Sequence, residues 1–521
     1  MNSTAFFKYL PNEGEELFTI ICLPNTSDTF PTVIYRTPYV DEETQMSEDE
    51  ICEKRLGEWT AWLDAGYAIV FQHCRGCGKS SGEFIPHTFD RADGLALQAW
   101  IREQSFYNGE LYLMGGSYNA YVHHATAPFA DDIKGAVLEV SDTERYNWHY
   151  RNGFYKVSLL GNWYVKHYKK KSGIRKSYTN DTYKMLPMSE FTKTVFGESV
   201  EEQDVIFRHP NRSDAFWSTP YGGEQTRGIF DHIRIPILLV TGFYDIFAGG
   251  IFDMWRALDD EARSLCALAV HPFNHSCNGE VEPINFENGT LKTEFGNYKL
   301  QWIESIRKNE QAPFEKGKIT YYKLFDNKWC CDDFFDATNV KRFPLGTEAV
   351  TYKYNPFAPA AFKGGLSLTF GGGAWQQGPN SRYDIISLYT PEFEEDTFIK
   401  GKMKAHLTVS SDCEDTCFYM RLSLCKEEGD YGLRDDITQI SNFNAMYVPN
   451  SEQEIEFSFD EHAFVAKKGE KLRIDISSSS FPQFIPHTNQ RGPFFEQTTA
   501  KVATNTVYLD QSYIEIPIAK Q

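Results

Sequence analysis

The sequence predicts an α/β domain that is interrupted by a helical insertion and followed by an all-β domain. Patterns typical of buried strands and of helices alternate over residues 1–143 and resume over residues 231–314. Between them, residues 144–230 mix aromatic, basic and polar side chains at helical spacing. Residues 315–521 contain short alternating runs separated by Gly, Asp, Asn and Pro, which predicts a β-sandwich of the jelly-roll type.

Short apolar runs rich in β-branched side chains mark the strands of the α/β domain. They cover residues 32–39, 67–74, 111–117 and 133–141 before the insertion, and residues 235–245 and 264–274 after it. Helical patterns cover residues 48–66, 88–104 and 299–309. Strands that alternate with helices predict a mainly parallel sheet with helices on both faces.

The overall composition is that of a globular protein and argues against a nucleic-acid partner. Apolar residues make up 41% of the 521 residues and charged residues 24%, and the formal net charge is −20. Phosphate binding requires a basic face, which this charge balance does not favour. No stretch approaches the roughly 18 apolar residues of a membrane span, so no membrane partner is expected.

Eleven cysteines are scattered along the chain without the spacing of a disulfide framework. The first residues lack a basic segment followed by a long apolar run, so no signal peptide is expected. Together these features predict free thiols in a reducing cytoplasm. Cys74 and Cys77 form a C-x-x-C pair, but no second pair lies at zinc spacing. We therefore expect no metal and no other cofactor.

The strongest chemical signal is the run Gly115, Gly116, Ser117, Tyr118 and Asn119, which follows a strand and precedes a helical pattern. This is the context of a nucleophile elbow, a sharp turn that exposes a serine hydroxyl at the carboxyl edge of a sheet. The usual motif has Gly at the position of Asn119, a residue type that tolerates unusual backbone angles. The alternative interpretation is a strand-to-helix turn with a capping serine.

Two later residues complete the set that a serine nucleophile requires. In α/β-hydrolases the acid and the histidine follow the serine along the chain, each just after a strand. Asp245 and His275 both lie at such positions, after two apolar runs. His271 is the nearest alternative base, but it lies at the end of the strand itself. The order Ser117, Asp245, His275 therefore predicts an α/β-hydrolase with a catalytic triad.

These side chains divide the chemistry of acyl transfer among them. A serine hydroxyl is a weak nucleophile at neutral pH, so the imidazole of His275 must accept its proton and later deliver it to the leaving group. The carboxylate of Asp245 fixes the tautomer of the imidazole and stabilises the imidazolium. The oxyanion needs donors that are fixed in advance, and the backbone N–H of Tyr118 is the expected first donor.

Segments that resemble a known family run through nearly the whole chain. They are YRTPYV (35–40), QHCRGCGKSSGEF (72–84), residues 93–118, HPNRSDAFW (209–217), GFYDIF (242–247), HPFNHS (271–276), and residues 352–365 and 469–489 of the all-β part. In this order they resemble the CocE/NonD hydrolases, a group that includes esterases, acylases and Xaa-Pro dipeptidyl-peptidases. The resemblance implies an α/β-hydrolase domain with a helical cap, followed by a jelly roll.

The resemblance also implies a role for each site residue. Ser117, Asp245 and His275 fall on the triad of the family. Tyr39 falls on the tyrosine whose hydroxyl is the second oxyanion donor. Without the resemblance, Tyr39 would be interpreted as a buried aromatic residue at a strand end.

The chain departs from the family pattern at several positions near the site. Asn119 and Ala120 stand where glycines are usual, and His73 replaces an aspartate in the loop after a strand. His271 and Ser276 replace frequent glycines near the histidine segment. None of these departures removes an atom of the triad.

The main hypothesis is a serine hydrolase that cleaves an ester or amide bond of a small acyl substrate through an acyl-enzyme. The second hypothesis is an Xaa-Pro dipeptidyl-peptidase acting on short peptides, which needs a carboxylate to bind a free amino terminus. The third is a degenerate hydrolase that binds a ligand through its cap or jelly roll, for which Asn119 and Ala120 are the only indications. A homodimer is left open.

Overall fold

The chain folds into one large mixed sheet flanked by helices and two separate antiparallel sheets. The computed structural model describes residues 3–25, 29–168, 180–184, 186–219, 222–279, 283–333, 335–368 and 371–520. Along the described residues an α/β segment is followed by short helices, a second α/β segment and an all-β part. The fold class predicted from the sequence is therefore confirmed.

The segment before the insertion builds one half of the large sheet. Its strands are β1 (Ser3–Asn12), β2 (Glu15–Pro24), β3 (Phe30–Thr37), β4 (Ala68–His73), β5 (Tyr107–Gly116) and β6 (Ile133–Glu139), and its helices are α1 (Glu48–Glu58), α2 (Thr60–Asp64), α3 (Asp90–Arg102) and α4 (Tyr118–His124). A capping box starts α1, because the Ser47 side chain accepts from the Glu50 amide and the Glu50 side chain accepts from the Ser47 amide. β1 and β2 form an antiparallel hairpin at the edge of the sheet, before the first strand that the sequence predicted.

Short helices dominate the described part of the insertion. Its elements are α5 (Arg145–His149), β7 (Tyr150–Arg151), β8 (Phe154–Tyr155), α6 (Asn162–His167), α7 (Phe191–Phe196) and α8 (Glu201–Phe207). The hairpin of β7 and β8 interrupts the helices and was not predicted. Over the described ranges, no helix has the length and apolar composition needed to cross a membrane.

The segment after the insertion completes the large sheet. Its elements are β9 (Ile237–Tyr244), α9 (Ala248–Ala257), α10 (Asp260–Leu265), β10 (Ala267–Asn274), α11 (Leu291–Phe295), α12 (Tyr298–Lys308), β11 (Ile319–Lys323) and β12 (Lys328–Asp332). The sheet continues beyond residue 314, the expected boundary, because β11 pairs in parallel with β10 and β12 pairs with β11. A short strand has the same local pattern in either domain, so the sequence did not reveal which sheet it joins.

The strand order brings the carboxyl ends of β3 and β5 side by side. The order across the sheet is β1-β2-β4-β3-β5-β6-β9-β10-β11-β12, and the strands from β4 to β11 are parallel. From β3 the chain adds β4 on one side and then β5 on the other, and such a reversal opens a crevice where ligands bind. Tyr39 follows β3 and Ser117 follows β5. Asp245 and His275 follow β9 and β10 at the same edge.

Two antiparallel sheets form the all-β part. Its strands are β13 (Asn339–Pro344), β14 (Ala349–Tyr354), β15 (Ile386–Tyr389), β16 (Thr397–Gly401), β17 (Lys404–Ser411), β18 (Cys417–Lys426), β19 (Gly429–Gln439), β20 (Gln453–Ser458), β21 (His462–Ala466), β22 (Lys471–Ser477) and β23 (Ala503–Ala519). One sheet has the order β20-β17-β23-β16-β21, with β13 and β14 also paired to β23, and the other has the order β15-β22-β18-β19. Buried and less buried residues alternate along most of β23, as expected for a strand with one face in a core.

An arginine of the insertion connects it to the all-β part. Arg151, in β7, donates from Nε to Asp436 Oδ1 and from Nη1 to Asp460 Oδ1, both at 2.8 Å. Its Nη2 donates to the carbonyl of Ser458 at 2.8 Å. Asp436 and Asp460 are buried. Because a buried carboxylate is stable only when it is paired, Arg151 holds these two segments together.

Replacing Arg151 with alanine should lower the free energy of unfolding by about 3–5 kcal/mol, because two buried carboxylates lose a guanidinium partner. Urea denaturation followed by circular dichroism measures this change. Arg208→Ala is the matched control, because Arg208 pairs with Glu201 at the surface and should contribute less than about 1 kcal/mol. Equal, small losses in both variants would contradict the assigned role of Arg151.

Candidate active site

Ser117 lies on a sharp turn between β5 and α4. Its backbone has φ 58° and ψ −128°, a combination that residues other than glycine rarely adopt, and its amide donates to the Glu139 carbonyl at 2.9 Å. A Cβ on Gly115 would lie 2.2 Å from the carbonyl oxygen of Asn119, so this position requires glycine. Gly116 has no such close neighbour. The Ser117 side chain makes no capping hydrogen bond to α4, which disfavours the capping interpretation.

The structure brings Ser117, His275 and Asp245 into a continuous chain of contacts. Ser117 Oγ lies 2.9 Å from His275 Nε2, and His275 Nδ1 lies 2.8 Å from Asp245 Oδ1. Thr241 Oγ1 donates to the other carboxylate oxygen of Asp245 at 2.8 Å. With Nδ1 donating to the carboxylate, Nε2 is free to accept the serine proton. Asp245 is fully buried, whereas the His275 side chain is 17% exposed.

His271 does not take part in this chain of contacts. It lies within β10, where its Nδ1 accepts from the Phe273 amide at 3.2 Å. Burial lowers the pKa of His271 to about 4, so its imidazole stays neutral near pH 7. A Cβ on Gly242 would lie 2.3 Å from the ring, so a glycine in β9 makes room for this histidine. These contacts indicate a packing role.

Tyr118 is the first residue of α4, where a backbone N–H has no partner within the helix. Its phenol group is buried and donates to Asp90 Oδ2 at 2.7 Å. The phenol oxygen also accepts from the His87 amide at 2.7 Å. The side chain therefore anchors the start of the helix, while its amide stays available at the turn.

Tyr39 lies two residues after β3, the strand next to the one that leads to Ser117. Its hydroxyl oxygen accepts from the indole N–H of Trp163 at 3.1 Å, and the Ser117 side chain lies close enough to influence the pKa of the phenol. Desolvation of the hydroxyl raises the pKa of Tyr39 to about 12, although the residue as a whole is 37% exposed. Near neutral pH the phenol is therefore protonated and can donate a hydrogen bond.

The departures at Asn119 and Ala120 fit the helix without distortion. Both residues lie in α4 and are buried. Asn119 Nδ2 donates to the Tyr35 hydroxyl at 2.8 Å, which ties the first turn of α4 to β3. The close approach of helix and strand is made at Gly115, so it does not need a further glycine at either position.

His73, another departure, belongs to a buried cluster of charged and polar side chains. Its Nε2 lies 2.9 Å from Glu43 Oε2, and Glu43 also pairs with Arg55 and Lys54. Burial lowers the pKa of His73, so the ring contributes as a neutral hydrogen-bonding group. We assign this histidine a structural role.

The acidic side chains of Glu139, the last residue of β6, and of Asp142, three residues later, already have partners. The Glu139 carboxylate accepts from the Tyr298 hydroxyl and pairs with Lys299. The Asp142 carboxylate accepts from the Glu144 amide at 2.8 Å and from Asn147 Nδ2 at 2.9 Å. Burial raises the pKa of Asp142 to about 7.

Two side chains at the site were not identified from the sequence, Thr241 and Trp163. Thr241 lies inside β9, where no local signal distinguishes it from other strand residues. Trp163 belongs to α6 of the insertion, and its direction is set by packing. The C-x-x-C cysteines Cys74 and Cys77 are buried and are not joined by a disulfide. Within the described part of the chain, no group of three or more His, Cys, Asp or Glu residues is arranged to hold a metal ion.

Several solved structures share this fold over almost the whole chain. An aminopeptidase from a marine-sediment Thaumarchaeota archaeon is 19% identical, with a TM-score of 0.85 over 99% of this chain and 96% of that chain. An α-amino acid ester hydrolase is 18% identical, with a TM-score of 0.83 over 99% and 97% of the two chains. A CocE/NonD family hydrolase from Staphylococcus aureus is 14% identical, with a TM-score of 0.68 over 99% and 93%.

Sequence comparison agrees with the structural likeness. Cocaine esterase from Rhodococcus sp. is 22% identical over 580 residues, which cover 98% of this chain and 97% of the esterase. Residues 379–515 match the profile described as the X-Pro dipeptidyl-peptidase C-terminal non-catalytic domain. Residues 13–277, about half of the chain, match the X-Pro dipeptidyl-peptidase (S15 family) profile. The resemblance to CocE/NonD hydrolases is thereby confirmed, and the chain belongs to the S15 family of serine hydrolases.

Proposed function

We propose that this hydrolase cleaves an ester or amide bond of a small acyl substrate, with Ser117 as nucleophile. His275 acts as general base and Asp245 orients it, while the Tyr118 amide and the Tyr39 hydroxyl bind the oxyanion. The observation that carries this proposal is the chain of contacts from Ser117 Oγ through both ring nitrogens of His275 to Asp245. Each link is within hydrogen-bonding distance.

The reaction proceeds in two steps, acylation of Ser117 and hydrolysis of the acyl-enzyme. Ser117 Oγ attacks the carbonyl carbon while His275 Nε2 takes the hydroxyl proton, and the resulting oxyanion accepts hydrogen bonds from the two donors. Collapse of this intermediate breaks the bond to the leaving group, which receives the proton from His275 and leaves an acyl-enzyme. A water molecule then attacks the acyl carbon with His275 again as base. Proton return to Ser117 releases the carboxylic acid.

The second candidate is the dipeptidyl-peptidase reaction, which the description of the matched family favours. That reaction requires a carboxylate that binds the amino terminus of the peptide. Glu139, at the end of β6, and Asp142, three residues later, already accept hydrogen bonds from protein donors. Lys299 already neutralises Glu139, and burial raises the pKa of Asp142 to about 7. Neither carboxylate is therefore a preformed partner for an ammonium ion, and hydrolysis of an acyl ester or amide without a free amino group is the better supported function.

The third candidate, a degenerate hydrolase, has less support than either reaction. Its only indications were Asn119 and Ala120, and both residues fit α4 without displacing the serine. The positive φ of Ser117 is a further argument against a degenerate site, because such backbone strain is typical of functional sites.

A fluorophosphonate probe should label Ser117 in the folded protein, and Ser117→Ala should abolish labelling. The same substitution should lower kcat for a p-nitrophenyl ester by roughly 10⁶-fold, because the attacking atom is lost. Ser305→Ala is the matched control, since Ser305 is buried in α12 and donates to the Trp302 carbonyl. Mass spectrometry locates the label. Folded protein that remains unlabelled at Ser117 would count decisively against the proposal.

Replacing Tyr39 with phenylalanine should lower kcat for the same ester by about 10²–10³-fold with a smaller change in KM, because a donor to the oxyanion is lost. Steady-state kinetics measure both constants. Tyr107, the first residue of β5, provides the matched control, because its hydroxyl donates to Asp132. Tyr107→Phe should leave kcat nearly unchanged. A change confined to KM in Tyr39→Phe would assign the hydroxyl to substrate binding.

Comparison of two substrates separates the first two candidate functions. We expect kcat/KM for a short-chain acyl ester to exceed that for Gly-Pro-anilide by at least about tenfold, since an ammonium group without a carboxylate partner forgoes a charge-assisted hydrogen bond. Ser117→Ala serves as the control for both substrates. Rapid release from the anilide with little ester hydrolysis would favour the dipeptidyl-peptidase.

A further inference from the structure

One side chain of the insertion contacts both residues that carry the proposed oxyanion donors. The Trp163 indole donates to the Tyr39 hydroxyl, and its ring stacks on the ring of Tyr118 with centroids 5.6 Å apart and an interplanar angle of 24°. We propose that Trp163 is a positioning residue that directs the Tyr39 hydroxyl proton toward the oxyanion. This inference rests on the proposed function, in which Tyr39 is an oxyanion donor.

The hydrogen-bonding capacity of the Trp163 indole determines the direction of the Tyr39 hydroxyl. An indole nitrogen can only donate, so in its contact with Trp163 the oxygen of Tyr39 must accept. The phenolic proton is then left for another acceptor. Ser117 lies close enough to this hydroxyl to influence its pKa. Accepting a hydrogen bond also polarises the O–H group and makes it a better donor.

Packing holds the indole in the orientation that this contact requires. Besides Tyr118, the ring of Trp163 packs against His167 at 5.0 Å and against Phe84 at 6.5 Å between centroids. His167 also contacts Tyr39 edge-on at 5.4 Å. Aromatic neighbours on several sides restrict rotation of the indole, because each alternative orientation would lose these contacts.

The contact also links two distant parts of the fold. Trp163 lies in α6 of the insertion, whereas Tyr39 follows β3 and Tyr118 begins α4. Tyr118 cannot move easily, since its phenol is hydrogen-bonded to Asp90 and to the His87 amide. The indole, held against the fixed ring of Tyr118, therefore restricts the movement of the half-exposed Tyr39. The Tyr39 hydroxyl is therefore oriented toward the oxyanion only when α6 of the insertion packs against it.

A double-mutant cycle tests whether Trp163 acts through Tyr39. Trp163→Phe keeps an aromatic ring but removes the N–H donor, and should lower kcat for a p-nitrophenyl ester roughly 2- to 10-fold, the range for one lost hydrogen bond. In the Tyr39→Phe background the same substitution should cause no further loss. Trp217→Phe is the matched control, because Trp217 is buried in the insertion and its indole donates to the Asn211 carbonyl.

A second measurement distinguishes positioning from general packing. A thionoester develops its charge on sulfur, a poorer hydrogen-bond acceptor than oxygen, so the ratio of oxoester to thionoester kcat/KM reports on the oxyanion donors. Trp163→Phe should lower this ratio, and Trp217→Phe should not. If Trp163→Phe folds poorly, benzothienylalanine at position 163 keeps the bicyclic ring and removes only the N–H. Thermal unfolding establishes which variants are folded.

The outcomes separate this inference from the proposed function. Equal losses from Trp163→Phe in both backgrounds, or an unchanged oxoester to thionoester ratio, would overturn the positioning role. Full activity in Tyr39→Phe would overturn both the inference and the oxyanion assignment of Tyr39. Fluorophosphonate labelling of Ser117 reports separately on the triad, so a failure there would overturn the nucleophile assignment itself.

Discussion

The contact between β5 and α4 at Gly115 is the constraint on which the site depends. The carbonyl of Asn119 lies where any side chain on residue 115 would be, so the helix starts directly against the strand that leads into it. This leaves a very short turn, and Ser117 takes a positive φ that costs of order 1–3 kcal/mol. The hydrogen bond from its amide to the Glu139 carbonyl holds that conformation. In return, the serine hydroxyl projects from the sheet edge toward the end of β10.

The parallel sheet then brings residues that are distant in sequence to that hydroxyl. Because strands β3, β5, β9 and β10 run in the same direction, whatever follows each strand lies along one edge. Tyr39, Ser117, Asp245 and His275 are the residues that follow. Thr241, four residues before Asp245 and inside β9, donates to the carboxylate oxygen that does not face the histidine and so fixes its position. The sheet thus determines the positions of the groups, and hydrogen bonds determine their orientations.

The parts of this arrangement that were predictable have a local signature in the sequence. Buried parallel strands are continuous apolar runs, so β9 and β10 were recognised, and with them Asp245 and His275. The edge strand β1 alternates between exposed and less exposed residues and was overlooked, while β11 was assigned to the wrong sheet because pairing is a long-range property. Trp163 was missed for the same reason, since tertiary packing, which no local pattern encodes, directs its ring toward Tyr39.

The directions of the hydrogen bonds determine which groups at the site are left to accept and which to donate. Thr241 and His275 Nδ1 both donate to the Asp245 carboxylate, so Nε2 of His275 is left as an acceptor. On the other side the Trp163 indole donates to the Tyr39 oxygen, so the Tyr39 proton is left as a donor. In the proposed reaction, Ser117 therefore lies between a group that can take its proton and a group that can bind the charge formed when it attacks. Neither property belongs to a single residue, because the first depends on the acceptor Asp245 at Nδ1 of His275 and the second on the donor Trp163 at the Tyr39 oxygen.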